Sequence, residues 1–384
     1  MTVPMSPIYL DYNATTPLLP EVVAAMLPYL SEHFGNPSSS HIYGSRTKSA
    51  VAHAREQVAR LLGCSADEIF FTSGGTEANN LSICGVAEAW RDRQATSGHI
   101  VTSVIEHPAT SNPCSWLQHR GMRVSRTPVD STGRITIESL KQSIDSSTTL
   151  VTLMHSNNET GVLQPISEAA ALAHEVGAVM HTDAAQSIGK IPVHVDNLGV
   201  DLLSVAGHKL YAPKGVGALY VRRGTPILPF LRGAGHERGL RPGTENVASI
   251  VGLGEACEQA RLHLTDTEPR LLRLRNRLWN RLNAVIPGLA LNGHPDLRLP
   301  NTLNLRFPMV SGLSLLAATP EVAASTGSAC HDGAETASSV ILAMGIPQEQ
   351  AIGSVRFTVG RMTTEEQIDQ AAEALSRSWS RLVS

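Results

Sequence analysis

Lys209 follows the apolar run Leu202-Leu203-Ser204-Val205-Ala206 and the dipeptide Gly207-His208. A lysine at the end of such a run is out of place, because its ammonium prefers a solvated surface. The position makes sense if the amine is tied up as a Schiff base with a carbonyl compound. Asp183 closes another apolar-rich run, and an ionised carboxylate at a buried strand end needs a partner, such as a protonated heterocycle nitrogen. Upstream, Ser73-Gly74-Gly75-Thr76-Glu77-Ala78-Asn79 puts small residues at the start of a helical pattern, where free N–H groups suit a phosphate. A plain turn with an N-cap explains that segment as readily. His107, in Glu106-His107-Pro108, reads equally well as a structural histidine, and Ser156-Asn157-Asn158-Glu159-Thr160-Gly161 as a turn. Taken together and in this order, a phosphate loop, a ring-contacting histidine, an acid and a strand-end lysine describe the binding needs of pyridoxal phosphate. The acid keeps the pyridine nitrogen protonated, the lysine holds the aldehyde, and the glycine loop holds the phosphate.

Such residues need a frame that brings them to one place. Short β-branched or apolar runs at 69–72, 100–104, 123–125, 150–155, 179–182, 202–205 and 217–221 alternate with amphipathic helical patterns, among them 77–90 and 167–176. This alternation predicts an α/β fold with a mainly parallel seven-stranded sheet, whose strand C-termini collect ligands. Beyond about Arg261 the texture changes. A helix is expected over 267–285, with Leu271, Leu274, Leu278 and Leu282 on one face and Arg270, Arg273, Arg277 and Arg281 along its flank. That flank reads as a solvated face in preference to a partner surface. The remainder reads as a smaller α+β domain ending in a helix from about Thr364. The expected division is a large cofactor-binding domain, 14–260, and a small domain made of 1–13 and 261–384.

Several classes are excluded. The glycine-rich segment 233–239 places its third glycine one residue too late for a dinucleotide fingerprint, and Gly252-Leu253-Gly254 lacks the third glycine. No G-x-x-x-x-G-K-[ST] occurs. A formal net charge of −3 over 384 residues, with no long basic tract, argues against nucleic acid or a membrane surface as partner. No apolar run reaches bilayer length and the N-terminus has no signal-peptide pattern, so a cytoplasmic protein is expected. Five cysteines, never in C-x-x-C spacing, form neither a disulfide framework nor a structural zinc site, and no metal is expected.

The chain resembles the cysteine desulfurases, and nearly as closely the selenocysteine lyases, of the class-V aminotransferase superfamily, fold type I of the pyridoxal-phosphate-dependent transferases. The likeness runs from Tyr9-Leu10-Asp11-Tyr12-Asn13-Ala14-Thr15-Thr16-Pro17 through Gly35-Asn36-Pro37-Ser38-Ser39 to Arg356-Phe357. It implies that Lys209 is the Schiff-base lysine, that His107 stacks on the cofactor ring, and that Asp183 pairs with the pyridine nitrogen. Gln186 and Asn158 are implied near the ring hydroxyl, and Gly75, Thr76 and His208 at the phosphate. Thr244, ending a loop that begins at Gly235-His236-Glu237-Arg238, is implied to reach across a homodimer interface to the other subunit's phosphate. Arg356 is implied as the clamp on the substrate carboxylate, with Asn13 and Asn158 beside the substrate. Cys330, in Ser325-Thr326-Gly327-Ser328-Ala329-Cys330-His331-Asp332-Gly333, matches the loop that carries the sulfur-accepting cysteine. One departure stands out: Ala206 occupies a position where many relatives have serine, so one hydroxyl contact to the phosphate is missing, and nothing in the sequence shows Ser204 replacing it.

The activity implied is conversion of L-cysteine to L-alanine, with the sulfur carried as a Cys330 persulfide to an acceptor protein, such as an iron–sulfur scaffold or a sulfurtransferase. A selenocysteine lyase is the nearest alternative. A plain aminotransferase has no task for Cys330, and a non-catalytic interaction subunit has no task for the set as a whole.

Overall fold

The computed structural model describes residues 6–94, 98–327 and 336–384. Seven strands form where the β-branched runs predict them: β2 Ile69–Thr72, β3 His99–Ser103, β4 Arg123–Thr127, β5 Thr148–Met154, β6 Val179–Asp183, β7 Leu202–Ala206 and β8 Gly217–Val221 (β1 is the short Ile8–Tyr9). They make one sheet in the order β2-β8-β7-β6-β5-β3-β4. The pairs among β7, β6, β5, β3 and β4 are parallel, and only β8 runs against its neighbours. β5 is buried along its whole length, as a central parallel strand covered on both faces must be. Polar side chains inside the sheet are satisfied across strands. His181 links Thr152 on β5 to Ser204 on β7, and His99 links Thr148 to Ser125.

Helices cover both faces. On one side α1 (Pro20–Ser31) and α2 (Ile42–Leu62) pack with the long helix Val247–Val285 over Val101, Val151, Leu203 and Ala218. On the other, α3 (Gly75–Gln94) and α4 (Pro108–His119) cover Ile100, Leu150, Leu202 and Leu219. The long helix begins twenty residues before the expected 267, and here the sequence reading is corrected. Gly252 and Gly254, which look like breakers, are helical: a Cβ on Gly254 would lie 2.7 Å from Ala54 Cα, so glycine lets this helix close onto α2. Its second half leaves the large sheet. Leu271, Leu274, Leu278 and Leu282 join a second core with Leu303, Leu305, Val355, Phe357 and the C-terminal helix Glu365–Val383.

That second core is built on an antiparallel sheet of β9 (Ala290–Asn292), β10 (Thr302–Arg306) and β12 (Ser354–Thr358), in the order β12-β10-β9. A short parallel pair joins β1 to β11 (Val322–Ala323). The closing helix starts at Thr364, which forms a capping box with Gln367. The arginine flank is largely spoken for: Arg277 and Arg281 pair with Asp369, and Arg270 donates to the carbonyls of Gly360 and Thr363. Among the described residues no helix is long and apolar enough to cross a membrane.

Candidate active site

Because β2, β3, β5, β6 and β7 all point the same way, the residues just past their C-termini gather at one edge of the sheet. A cleft of about 210 Å³ opens there, lined by Gly75, Thr76, His107, Asn158, Asp183, Gln186, Ala206, His208 and Lys209, with Ala109, Met154, Ser156 and Ala185 between them. Nine residues singled out from the sequence therefore share one cavity. Three do not line it: Arg356, Asn13 and Thr244.

Lys209 sits on a short 3-10 turn, Gly207–Lys209, directly after β7. Its amine donates to the backbone carbonyls of Asn13 and Ala14. Burial, and then the nearby Arg356 guanidinium, pull its pKa down to about 8, against the opposing pull of Asp11 and Asp183. An amine so placed is neutral far more often near pH 7 than an ordinary lysine, as suits a nucleophile or a base. Asp183, at the end of the neighbouring strand, has both oxygens held: Oδ2 accepts from Asn79 Nδ2 at 2.7 Å and Oδ1 from the Ala185 amide at 3.0 Å. His107 precedes α4 and its Nδ1 accepts from the Ala109 amide at 3.1 Å, which leaves the proton of the neutral ring on Nε2. Desolvation by the cleft wall, and the charge on Lys209, lower its pKa against the attraction of Asp183.

Gly75 and Thr76 open α3, a 20-residue helix whose first amides have no intrahelical acceptor. A Cβ on Gly75 would lie 3.1 Å from Ala206 Cβ, so the wall between the helix start and β7 is closely fitted. Ser204 does not stand in for the hydroxyl absent at Ala206, since its Oγ is bound to His181 at 3.0 Å inside the sheet. His208 bonds Thr15 Oγ1 through Nδ1, and burial and surrounding cations drive its pKa down to about 4. Small residues, helix-start amides, an amine, a carboxylate and an imidazole around one cavity match the donor set of a phosphorylated pyridine aldehyde.

Arg356, Asn13 and Thr244 lie behind or beyond this wall. Arg356, on β12, is 6 % exposed. Its Nη2 donates to Asp11 Oδ1 at 2.7 Å and its Nη1 to the carbonyl of Asn158 at 2.9 Å, while Nε has no partner among the described residues. Asn13 is 1 % exposed, and its side chain is occupied by Thr302, Asn301, Lys190 and the Asn158 carbonyl. Thr244 is exposed, at the end of a loop that is firmly anchored. Glu237 in that loop takes both Nη atoms of Arg55 at 2.7 and 2.6 Å, and Arg241 pairs with Glu77 at 2.7 Å. Cys330 lies outside the described residues. The four described cysteines are free thiols pushed up by burial, Cys64 and Cys114 to about 12, Cys84 to about 11 and Cys257 higher still, so none is a ready nucleophile.

Sequence reasoning gave no role to Asn79, Glu159 or Lys190. Asn79 orients Asp183. Glu159 is a buried acid whose pKa burial raises to about 7; it accepts from Ser338 Oγ at 2.5 Å. All three are polar residues whose tasks exist only after distant segments meet, so no local pattern marks them.

The class-V aminotransferase family model matches residues 8–371. The chain is 46% identical, over 96% of its own length and 94% of the relative's, to cysteine desulfurase IscS of Dictyoglomus turgidum. Among solved structures, a NifS-like protein superimposes with a TM-score of 0.91 at 36% identity, covering 98% of this chain and all of the other. A structure described as SspA in complex with cysteine gives a TM-score of 0.79, also at 36% identity, over 91% of this chain and 98% of the other.

Proposed function

The chain belongs to the class-V aminotransferase family, among the cysteine desulfurases, and from that membership we propose that it uses pyridoxal phosphate to convert L-cysteine to L-alanine and passes the sulfur on through Cys330. The observation that carries the reading is the convergence of Lys209, Asp183, His107 and the start of α3 on one strand-end cleft.

In this reading Lys209 holds the aldehyde of the cofactor, Asp183 its ring nitrogen, and Gly75, Thr76 and His208 its phosphate, with His107, Asn158 and Gln186 around the ring. Pyridoxal phosphate, when bound, supplies the electron sink that makes the Cα proton of an amino acid removable. Lys209, once the amino group of L-cysteine has displaced it from the aldehyde, takes that proton, a task suited to an amine whose pKa lies at about 8. The fixed carboxylate of Asp183, oriented by Asn79, stabilises positive charge on the ring nitrogen. Arg356 binds the substrate carboxylate, which requires it to share or release Asp11; its Nε, unpartnered among the described residues, leaves one N–H in hand.

The thiolate of Cys330 attacks the substrate sulfur. The S–S bond forms as the Cβ–S bond breaks, and the electron pair of the broken bond stays with the carbon skeleton, which is protonated to alanine. An acceptor thiol then takes the outer sulfur and returns the Cys330 thiolate. Iron–sulfur assembly, tRNA thiolation and other sulfur insertions all begin from such a persulfide.

A homodimer completes the site by bringing in Thr244 from a second copy. An apolar surface around α1 and the start of α2 supports this: Leu30, Phe34 and Ile42 are 64 %, 74 % and 70 % exposed, and Phe34 stacks on Tyr43. A division into 14–260 and 1–13 with 261–384 accords with the long helix changing cores between Ala260 and Leu271. A cytoplasmic location accords with the free thiols.

The test is turnover with the cofactor saturated and a thiol reductant present. Alanine and sulfide should appear in equal amounts from L-cysteine; neither product appearing would end the proposal.

A further inference from the structure

Lys190 is a buried amine to which the proposed mechanism gives no task. It lies in the segment that follows β6 and is 6 % exposed. Burial and the nearby charges of Lys209 and Arg356 push its pKa well below the usual lysine value. Among the described residues no carboxylate pairs with it. Instead Nζ donates to Asn13 Oδ1 at 3.2 Å and to Gln186 Oε1 at 3.1 Å. A methionine of similar volume would be far easier to bury than a lysine with no counter-ion, so the arrangement points to work done by those two bonds.

Both acceptors lead to Lys209. Gln186 lines the cleft and, with its oxygen on Lys190, turns Nε2 to the Asn13 carbonyl at 3.1 Å. The same carbonyl receives the Lys209 amine. Asn13 Oδ1 also accepts from Asn301 Nδ2 at 3.0 Å, while Asn13 Nδ2 donates to Thr302 Oγ1 at 3.0 Å. An amide can exchange its oxygen and nitrogen by a half-turn, whereas a lysine amine, charged or neutral, has enough N–H groups to donate to two oxygens at once. One donor group at the oxygen ends of both amides, with the carbonyls of Asn158 and Asn13 accepting at their nitrogen ends, therefore fixes the orientation of both.

We propose that Lys190 is a positioning residue of the active site: by donating to two amide oxygens at once it orients Gln186 and Asn13, and so holds the carbonyl on which the Lys209 amine rests. This rests on the reading of Lys209 as the reactive amine.

Lys190→Met keeps the volume and removes the donors. In the cofactor-free protein, trinitrobenzenesulfonate labelling of Lys209, followed by peptide mass spectrometry, should become at least about threefold faster as the amine loses its fixed acceptor. In the loaded protein, the dissociation constant for pyridoxal phosphate should rise about tenfold. The kcat should fall about tenfold with KM changed less than about threefold, the scale of one misplaced buried hydrogen bond. A merely space-filling lysine gives the opposite picture: a variant at least as stable as wild type, with an unchanged labelling rate, cofactor affinity and kcat. That result would overturn the proposal. Should Lys190→Met not fold, Lys190→Gln, too short to bridge both amides, is read in the same way. If the wild type itself takes up no pyridoxal phosphate, the cofactor reading fails, and the labelling rates alone decide for or against Lys190.

Discussion

Lys209 and Asp183 reach the same cleft from neighbouring strands, yet their surroundings ask different things of them. The amine is partly desolvated and faces Arg356, so its neutral form is favoured; the carboxylate is held by two donors. In the cofactor-free protein, the rate of Lys209 labelling should therefore rise with a midpoint near pH 8, against about 10.4 for an ordinary lysine. A midpoint above 10 would contradict this account of the site. Asp183→Asn keeps the shape and removes the charge, and with cofactor saturated it should lower kcat by about a hundredfold or more, the range for a lost electrostatic partner of developing charge. A loss of less than threefold would remove Asp183 from the mechanism. Glu159 carries a further prediction, about stability. Its folded pKa of about 7 lies above the ordinary value of 4.5, so from pH 4.5 to 7 the folded state holds a proton that the unfolded state has lost. Stability contributed by this group is full below pH 4.5 and is lost as pH rises through 7. Glu159→Gln removes that slope, so between pH 4 and pH 8 the variant should gain on wild type by on the order of 2–3 kcal/mol in urea unfolding. Equal slopes would show that Glu159 keeps its ordinary pKa in the folded protein.

At the scale of elements, Gly254 offers the sharpest test of packing. A Cβ there meets Ala54 Cα at 2.7 Å and Gln57 Oε1 at 2.5 Å, so Gly254→Val forces the long helix away from α2 and should cost about 1–3 kcal/mol in urea unfolding. No change would mean that the helices are not in contact. The same glycine marks what the sequence could and could not disclose. All seven sheet strands were legible, each to within two residues, because most are short apolar or β-branched runs alternating with helical patterns. The first twenty residues of the long helix were not, since Gly252 and Gly254 weaken a helix by intrinsic propensity and only the proximity of α2 makes them favourable. The cleft was legible where its residues end strands: Lys209, Asp183, His107 and Gly75 are each announced by the run before them. Asn79, Lys190 and Glu159 act on partners 104, 177 and 179 positions away, and no window of sequence contains such a pair. The burial of Arg356 behind Asn158 is likewise a product of two sheets meeting.

One long helix enters both cores, and Arg356 comes from the smaller sheet to within hydrogen-bond reach of Asn158, which lines the cleft at the larger sheet. In the proposed function, the binding of substrate and cofactor thus depends on segments from both cores. The central claim is best tested in a single turnover. The cofactor-loaded protein is mixed with L-cysteine without reductant, alanine is counted per chain, and the extra sulfur is located by peptide mass spectrometry. The account predicts about one alanine per chain, with the sulfur on Cys330 and none on Cys64, Cys84, Cys114 or Cys257, and loss of both products in Cys330→Ala. Sulfur on one of those four thiols, or undiminished alanine from Cys330→Ala, would contradict it.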